Sequence, residues 1–115
     1  MDFPKRGEIW LVSLEPTLGR EIGKTRPALV ISNDLNNQYA GTITVLLITS
    51  KTEKIYPFET FISGEESGLP RDSKIKSNQI RTVDKRRLVK YLARISEEKL
   101  KQVERAILIH LGIEC

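Results

Sequence analysis

Thr42-Ile43-Thr44-Val45-Leu46-Leu47-Ile48-Thr49 is built only from Thr, Ile, Val and Leu, with no charge, glycine or proline. Branching at Cβ stiffens χ1 and favours the pleated, extended chain, so this run is the strongest strand signal in the sequence. Upstream, Asn33 to Gly41 reads as a turn or one helical turn. Before it, Pro27-Ala28-Leu29-Val30-Ile31-Ser32 is a second strand, with proline at the first position, where a ladder tolerates its missing N–H. Gly7 to Leu14 sets Ile9 and Leu11 against Trp10, Val12 and Leu14, which predicts a strand buried on both faces. Glu15 to Arg26 carries Pro16, Gly19, Gly23 and five charges, so it is a long connection. Loops of about this length, near twelve residues, tend to be functional or disordered.

Downstream of the central run, Lys51 to Pro57 is polar and Phe58 to Ser63 alternates like an edge strand. Gly64 to Pro70 reads as a turn, and Ser73–Ile80 and Leu88–Ile95 give two more strands around residues 81–87. The last segment changes period. Ser96 is a good N-cap, Glu97 and Glu98 suit a first turn, and Leu100, Val103, Ile107 and Leu111 follow helical spacing up to Gly112. Short strands separated by turn signals, closed by one amphipathic helix, predict a mainly β fold, a small barrel with a C-terminal helix.

The chain has 115 residues, 39% hydrophobic and 30% charged, which predicts one domain over residues 1–115 with a packed core. The uncharged stretch Leu35 to Ser50 is too polar to cross a bilayer, and residues 1–7 lack a signal-peptide layout, so a cytoplasmic protein without a membrane partner is expected. The net charge of +4 is unevenly spread: residues 71–105 hold twelve Lys and Arg against five Asp and Glu, net +7, which suggests a positive face for a polyanion.

The chemical inventory is narrow. One histidine, His110, and one cysteine, Cys115, do not make a zinc site, and His110 near a helix C-terminus reads as a dipole partner. No metal site and no cofactor are expected. Nor is there a Walker loop, a dinucleotide glycine fingerprint or a nucleophile elbow. What remains is polar chemistry at strand ends and loops: Glu21, Arg26, Thr49, Ser50, Gln79, Arg81, Thr82 and Asp84. Taken singly, Arg26 also reads as a solvated charge and Thr49-Ser50 as turn formers.

At these residues the sequence resembles the PemK/MazF (Kid) family of toxin endoribonucleases. The resemblance rests on Gly7 to Pro16, Gly19 and Glu21, and Thr25-Arg26-Pro27-Ala28-Leu29-Val30-Ile31-Ser32-Asn33-Asp34. It continues through Ile48-Thr49-Ser50, Gly68-Leu69, Asp72-Ser73, Gln79-Ile80-Arg81-Thr82-Val83-Asp84 with Arg87, and Leu111-Gly112-Ile113. It implies an SH3-like small β-barrel, a homodimer, and metal-independent cutting of single-stranded RNA under control of a cognate MazE/PemI-like antitoxin. Operator DNA would be bound only through that antitoxin.

The resemblance assigns catalysis to Arg26 and Thr49, or to Ser50 and Arg81 with Asp84, as different branches of the family do. Glu21 and Gln79 are then candidates for reading bases, beside Arg20 and Thr82 as further substrate contacts. Arg20 departs from one branch that has a histidine beside the glutamate. Arg81, Lys85, Arg86, Arg87 and Lys90 form the core of the basic region and suit a phosphate track, although Arg81 could instead be locked by Asp84. Two other readings share the fold: a CcdB-like toxin that poisons gyrase, and a catalytically silent module that binds RNA or antitoxin. Trp10 and Tyr39 are expected in the core or an interface.

Overall fold

In the computed structural model, residues 3–14 and 25–114 are described. Their strands are β1 (Glu8–Ser13), β2 (Thr25–Val30), β3 (Thr42–Thr49), β4 (Glu59–Ile62), β5 (Ser73–Asp84) and β6 (Leu88–Arg94). The helices are α1 (Asp34–Tyr39), α2 (Gly64–Ser67) and α3 (Glu97–Leu111). All the strands join one antiparallel sheet in the order β4-β5-β3-β2-β1-β6. The run that dominates the sequence is thus near the middle of the sheet, between β5 and β2, and it has the expected bounds.

Alternation along β3 serves two cores. Leu46 and Ile48 point to the face shared with Ile9, Leu29, Ile62 and Ile75, where Leu100 and Val103 of α3 pack. Val45 points to the other face with Val12, Ala28, Val30, Ile43 and Val83. Full burial of each such side chain contributes about 1.5–3 kcal/mol. α3 starts as expected, with the Ser96 side chain accepting the Lys99 N–H, and ends at Gly112 in the left-handed region. Its buried stripe is Leu100, Val103 and Ala106; Ile107 flanks it and Leu111, past the last packed turn, is exposed. Among the described residues no helix is long and apolar enough to cross a membrane.

β1 is buried on both faces as expected, through Ile9 in one core and Val12 in the other, with Trp10 and Leu11 half covered. Other expectations are corrected. β2 begins at Thr25, so Pro27 lies inside it; Pro27 pairs with Leu11 of β1, whereas the pairing with β3 starts only at Ala28. β5 runs on to Asp84 and carries a bulge, since two steps on β3, from Leu46 to Ile48, face five on β5, from Ile80 to Ile75. Lys85–Arg87 form a single 3-10 turn before β6. Tyr39 is exposed, so of its two expected places, core or interface, the core is ruled out.

The 64–70 turn contains α2, capped by the Ser63 side chain accepting the Glu66 N–H and by Gly68 at φ +72°. This short helix matters for closure. The edge strands β4 and β6 share no ladder, and the gap between them is crossed by the segment around Gly68, which lies against β6. A Cβ at Gly68 would stand 2.9 Å from the Leu92 carbonyl oxygen and sit on a left-handed backbone. Gly68→Ala is therefore expected to cost about 1–3 kcal/mol, read as a lower urea midpoint at unchanged slope.

Candidate functional site

Register places the candidates in a row across one sheet face. Val12 of β1 is opposite Arg26 of β2, and Thr49 of β3 is opposite Lys74 of β5, which is opposite Phe61 of β4. The β2–β3 register passes from Val30↔Val45 to Ala28↔Leu47. Continued by two residues, it brings Arg26 level with Thr49. Strand alternation then directs both side chains to the face of Ala28 and Leu47. Pro27, with no N–H to give, stands just past the last β2–β3 pair, so Arg26 and Thr49 flank the end of that ladder. Arg26 is half-buried and makes no ion pair among the described residues. Thr49 Oγ1 accepts the Lys51 N–H at 3.3 Å, which leaves its hydroxyl proton to be donated elsewhere. Ser50 follows, exposed.

The second group of candidates stands apart from the first. Arg81 is opposite Val45, four residues along β3 from Thr49, which is about 13 Å at the usual rise per residue. Both nevertheless project from the same face by alternation. Thr82, opposite Thr44, projects from the other. Gln79 lies half-buried in the β5 bulge.

Asp84 does not lock Arg81. Its carboxylate accepts Arg86 Nε at 3.0 Å, Arg86 Nη2 at 3.0 Å and the Arg86 backbone N–H at 2.8 Å. These bonds hold the Asp84 carboxyl down to about 2 and raise the Arg86 guanidinium. Asp84 is thus a cap on the 3-10 turn. Arg81 makes no ion pair among the described residues. Arg87 Nη1 donates to the Ser13 carbonyl at 3.3 Å, tying the basic turn to β1. Arg20 and Glu21 lie outside the described residues.

The basic stretch does not form a single face. Lys74 is buried and paired with Glu59, Lys99 donates to the Phe61 carbonyl oxygen, and Lys101 and Arg105 ride on α3. Arg81, Arg86 and Lys90 are exposed at the β5–β6 end. A linear charge count cannot separate these because the run is wound through two strands and a helix.

Sequence reasoning missed a charged cluster beside Thr49. The Glu59 side chain is 1% exposed, yet it accepts Lys74 Nζ at 2.8 Å and Lys76 Nζ at 3.3 Å. It also takes the Tyr56 N–H at 2.9 Å. Burial pushes the Glu59 carboxyl up, but the bonds from Lys74, the Tyr56 amide and Lys76 outweigh it and leave it below its ordinary value. A carboxyl lowered on folding adds stability above its unfolded pKa and loses it as pH falls through the folded one. Wild-type stability should therefore drop on acidification below about pH 4.5, and Glu59→Gln should flatten that slope in urea titrations across pH.

With this geometry in view, known proteins place the chain. Residues 5–111 match the family of PemK-like, MazF-like toxins of type II toxin–antitoxin systems. The chain belongs to the PemK/MazF family. Endoribonuclease MazF9 of Mycobacterium tuberculosis is 40% identical over 114 residues, covering 95% of this chain and 97% of that protein. Among solved PemK/MazF-like structures, MazF from Deinococcus radiodurans superposes with a TM-score of 0.80 at 26% identity, covering 98% of this chain and all of that one. The same organism's MazE–MazF complex gives a TM-score of 0.76 at 26% identity, covering 99% of this chain and 100% of that one. The mainly β fold with its C-terminal helix is thus that of MazF toxins, here with no ladder between the edge strands β4 and β6.

Proposed function

We propose that this chain is the toxin of a type II pair and a sequence-specific, metal-independent endoribonuclease acting on single-stranded RNA in the cytoplasm. The observation that carries this reading is the level placement of Arg26 and Thr49 on one face, past the end of the β2–β3 ladder. The 40% identity to an endoribonuclease over nearly the whole chain supports it. RNA holds its own nucleophile. Its 2′-OH attacks the neighbouring phosphorus, the P–O5′ bond breaks, and a 2′,3′-cyclic phosphate and a 5′-OH result, with no water or metal needed for that step. The protein then has to orient the chain and offset charge that grows on the non-bridging oxygens. Arg26, always protonated and planar, pairs with those oxygens, and the Thr49 hydroxyl donates to one of them. With a pKa above about 12, Arg26 acts through charge rather than as a proton carrier.

Ser50 is adjacent to this pair, and Arg81 and Gln79 extend the RNA path along β5, whereas Thr82, on the opposite face, lies off that path; Arg20 and Glu21 on the 15–24 connection are base or phosphate contacts. Arg86 and Arg87 serve as phosphate contacts at the β5–β6 turn. Replacing both by alanine should weaken RNA binding and make the slope of log K against log salt shallower by about 1.4, checked by fluorescence titration at several salt concentrations. A homodimer is the working form, and a MazE/PemI-like antitoxin is the inhibitor and the route to operator DNA. Incubating the purified protein with single-stranded RNA in EDTA tests the activity. Cutting supports the nuclease; gyrase inhibition without cutting supports a CcdB-like toxin, and binding without cutting a silent module.

A further inference from the structure

Lys74 is directly across the strand pair from Thr49, and its ammonium is engaged within the protein. Nζ donates to Glu59 Oε1 at 2.8 Å and to the Lys54 carbonyl oxygen at 2.7 Å, with the side chain only 9% exposed. Glu59 in turn holds the Tyr56 N–H. One carboxylate and one ammonium thus grip residues 54 and 56, the far part of the loop that leaves the sheet at Thr49-Ser50. The near end is held by Thr49 itself, through Oγ1 and the Lys51 N–H. Tyr56 is fixed further by stacking on Phe58, with ring centroids 5.3 Å apart and planes 5° from parallel.

The stability that ionised Glu59 adds over its protonated form does not explain why the site is ionic rather than apolar. A buried ion pair generally gains little over well-packed apolar side chains of the same volume, because desolvation consumes the attraction between the charges. What such a pair provides is fixed geometry, and here the geometry fixed is that of the loop whose first residue is Thr49. If the loop relaxes, the Lys51 N–H leaves Thr49 Oγ1 and the hydroxyl loses the bond that aims its proton.

We propose that Lys74, compensated by Glu59, is a positioning residue for Thr49: it ties the 50–56 loop to the sheet so that the Thr49 hydroxyl is presented as a donor. The inference rests on the endoribonuclease reading above. It is tested with Lys74→Met, in which Glu59 keeps Lys76 as its partner, and with the double variant Glu59→Gln/Lys74→Met, in which the partly exposed Lys76 ammonium can turn to solvent. Folding is verified by circular dichroism, and the assay temperature is set below the melting of the weakest variant. Single-turnover cutting of an RNA oligonucleotide at saturating enzyme is compared with binding of the same oligonucleotide carrying a 2′-deoxy nucleotide at the cut.

The expected result for each folded variant is a cleavage constant lower by about ten-fold or more, as small misplacements of reacting groups produce, with the dissociation constant within about two-fold of wild type. Adding Thr49→Val to the double variant should lower the rate little further, because the two changes act through the same hydroxyl. A folded double variant that cuts at the wild-type rate overturns the proposal while leaving the nuclease reading intact. Equal losses of binding and cutting overturn it too, since they indicate general damage. A wild-type protein that cuts no RNA overturns both.

Discussion

Arg26→Ala is expected to lower the single-turnover cleavage constant by about 10²–10³-fold, the effect of removing one fixed donor aimed at developing transition-state charge. Binding of an uncleavable oligonucleotide should change far less, because the basic residues of β5 and the following turn are untouched. The size follows from the site's position. Arg26 is half-buried, and no carboxylate among the described residues pairs with it or neutralises its charge. Arg26→Lys should recover little, since an ammonium cannot reproduce the two parallel bonds of a guanidinium. Thr49→Val removes only a neutral donor and should cost less than Arg26→Ala. An Arg26→Ala protein with an unchanged cleavage constant would move catalysis to the Arg81 group.

Leu46→Ala should produce the largest loss of stability, about 2–5 kcal/mol, measured as a fall in urea midpoint at unchanged slope. Leu46 is fully buried, is paired with Leu29 and Ile80 on either side, and belongs to the core that docks α3. The neighbours are parts of a hydrogen-bonded sheet and cannot collapse into the space left behind. Thr42→Ala, at the exposed start of the same strand, has no such packing to lose and should change stability by less than about 0.5 kcal/mol.

The elements written in short-range periodicity were legible in the sequence. β3 is uncharged and branched throughout, α3 has a serine cap, two early glutamates and a closing glycine, and both were placed closely. Elements that depend on pairing were not. The polar stretch from Lys76 to Gln79 hides a bulge that only the partner strand reveals, and Gly64–Ser67 is a single helical turn too short for periodicity to show. Of the site, Arg26 and Thr49 were named from local motif, but that they are level with each other is a property of register. Glu59 and Lys74 escaped for the same reason. They are fifteen residues apart and look like ordinary surface charges until β4 is laid beside β5.

The central claim is that the RNA supplies the nucleophile and the protein supplies charge and orientation. The most direct measurement locates a cut by primer extension in a long RNA, then compares an oligonucleotide containing that site with one carrying a single 2′-deoxy nucleotide on the 5′ side of the cut. The predicted result is cutting of the first in EDTA, with a 2′,3′-cyclic phosphate and a 5′-OH as the new ends, and no cutting of the second. Cleavage of the 2′-deoxy substrate, or products bearing a 5′-phosphate, would contradict the account.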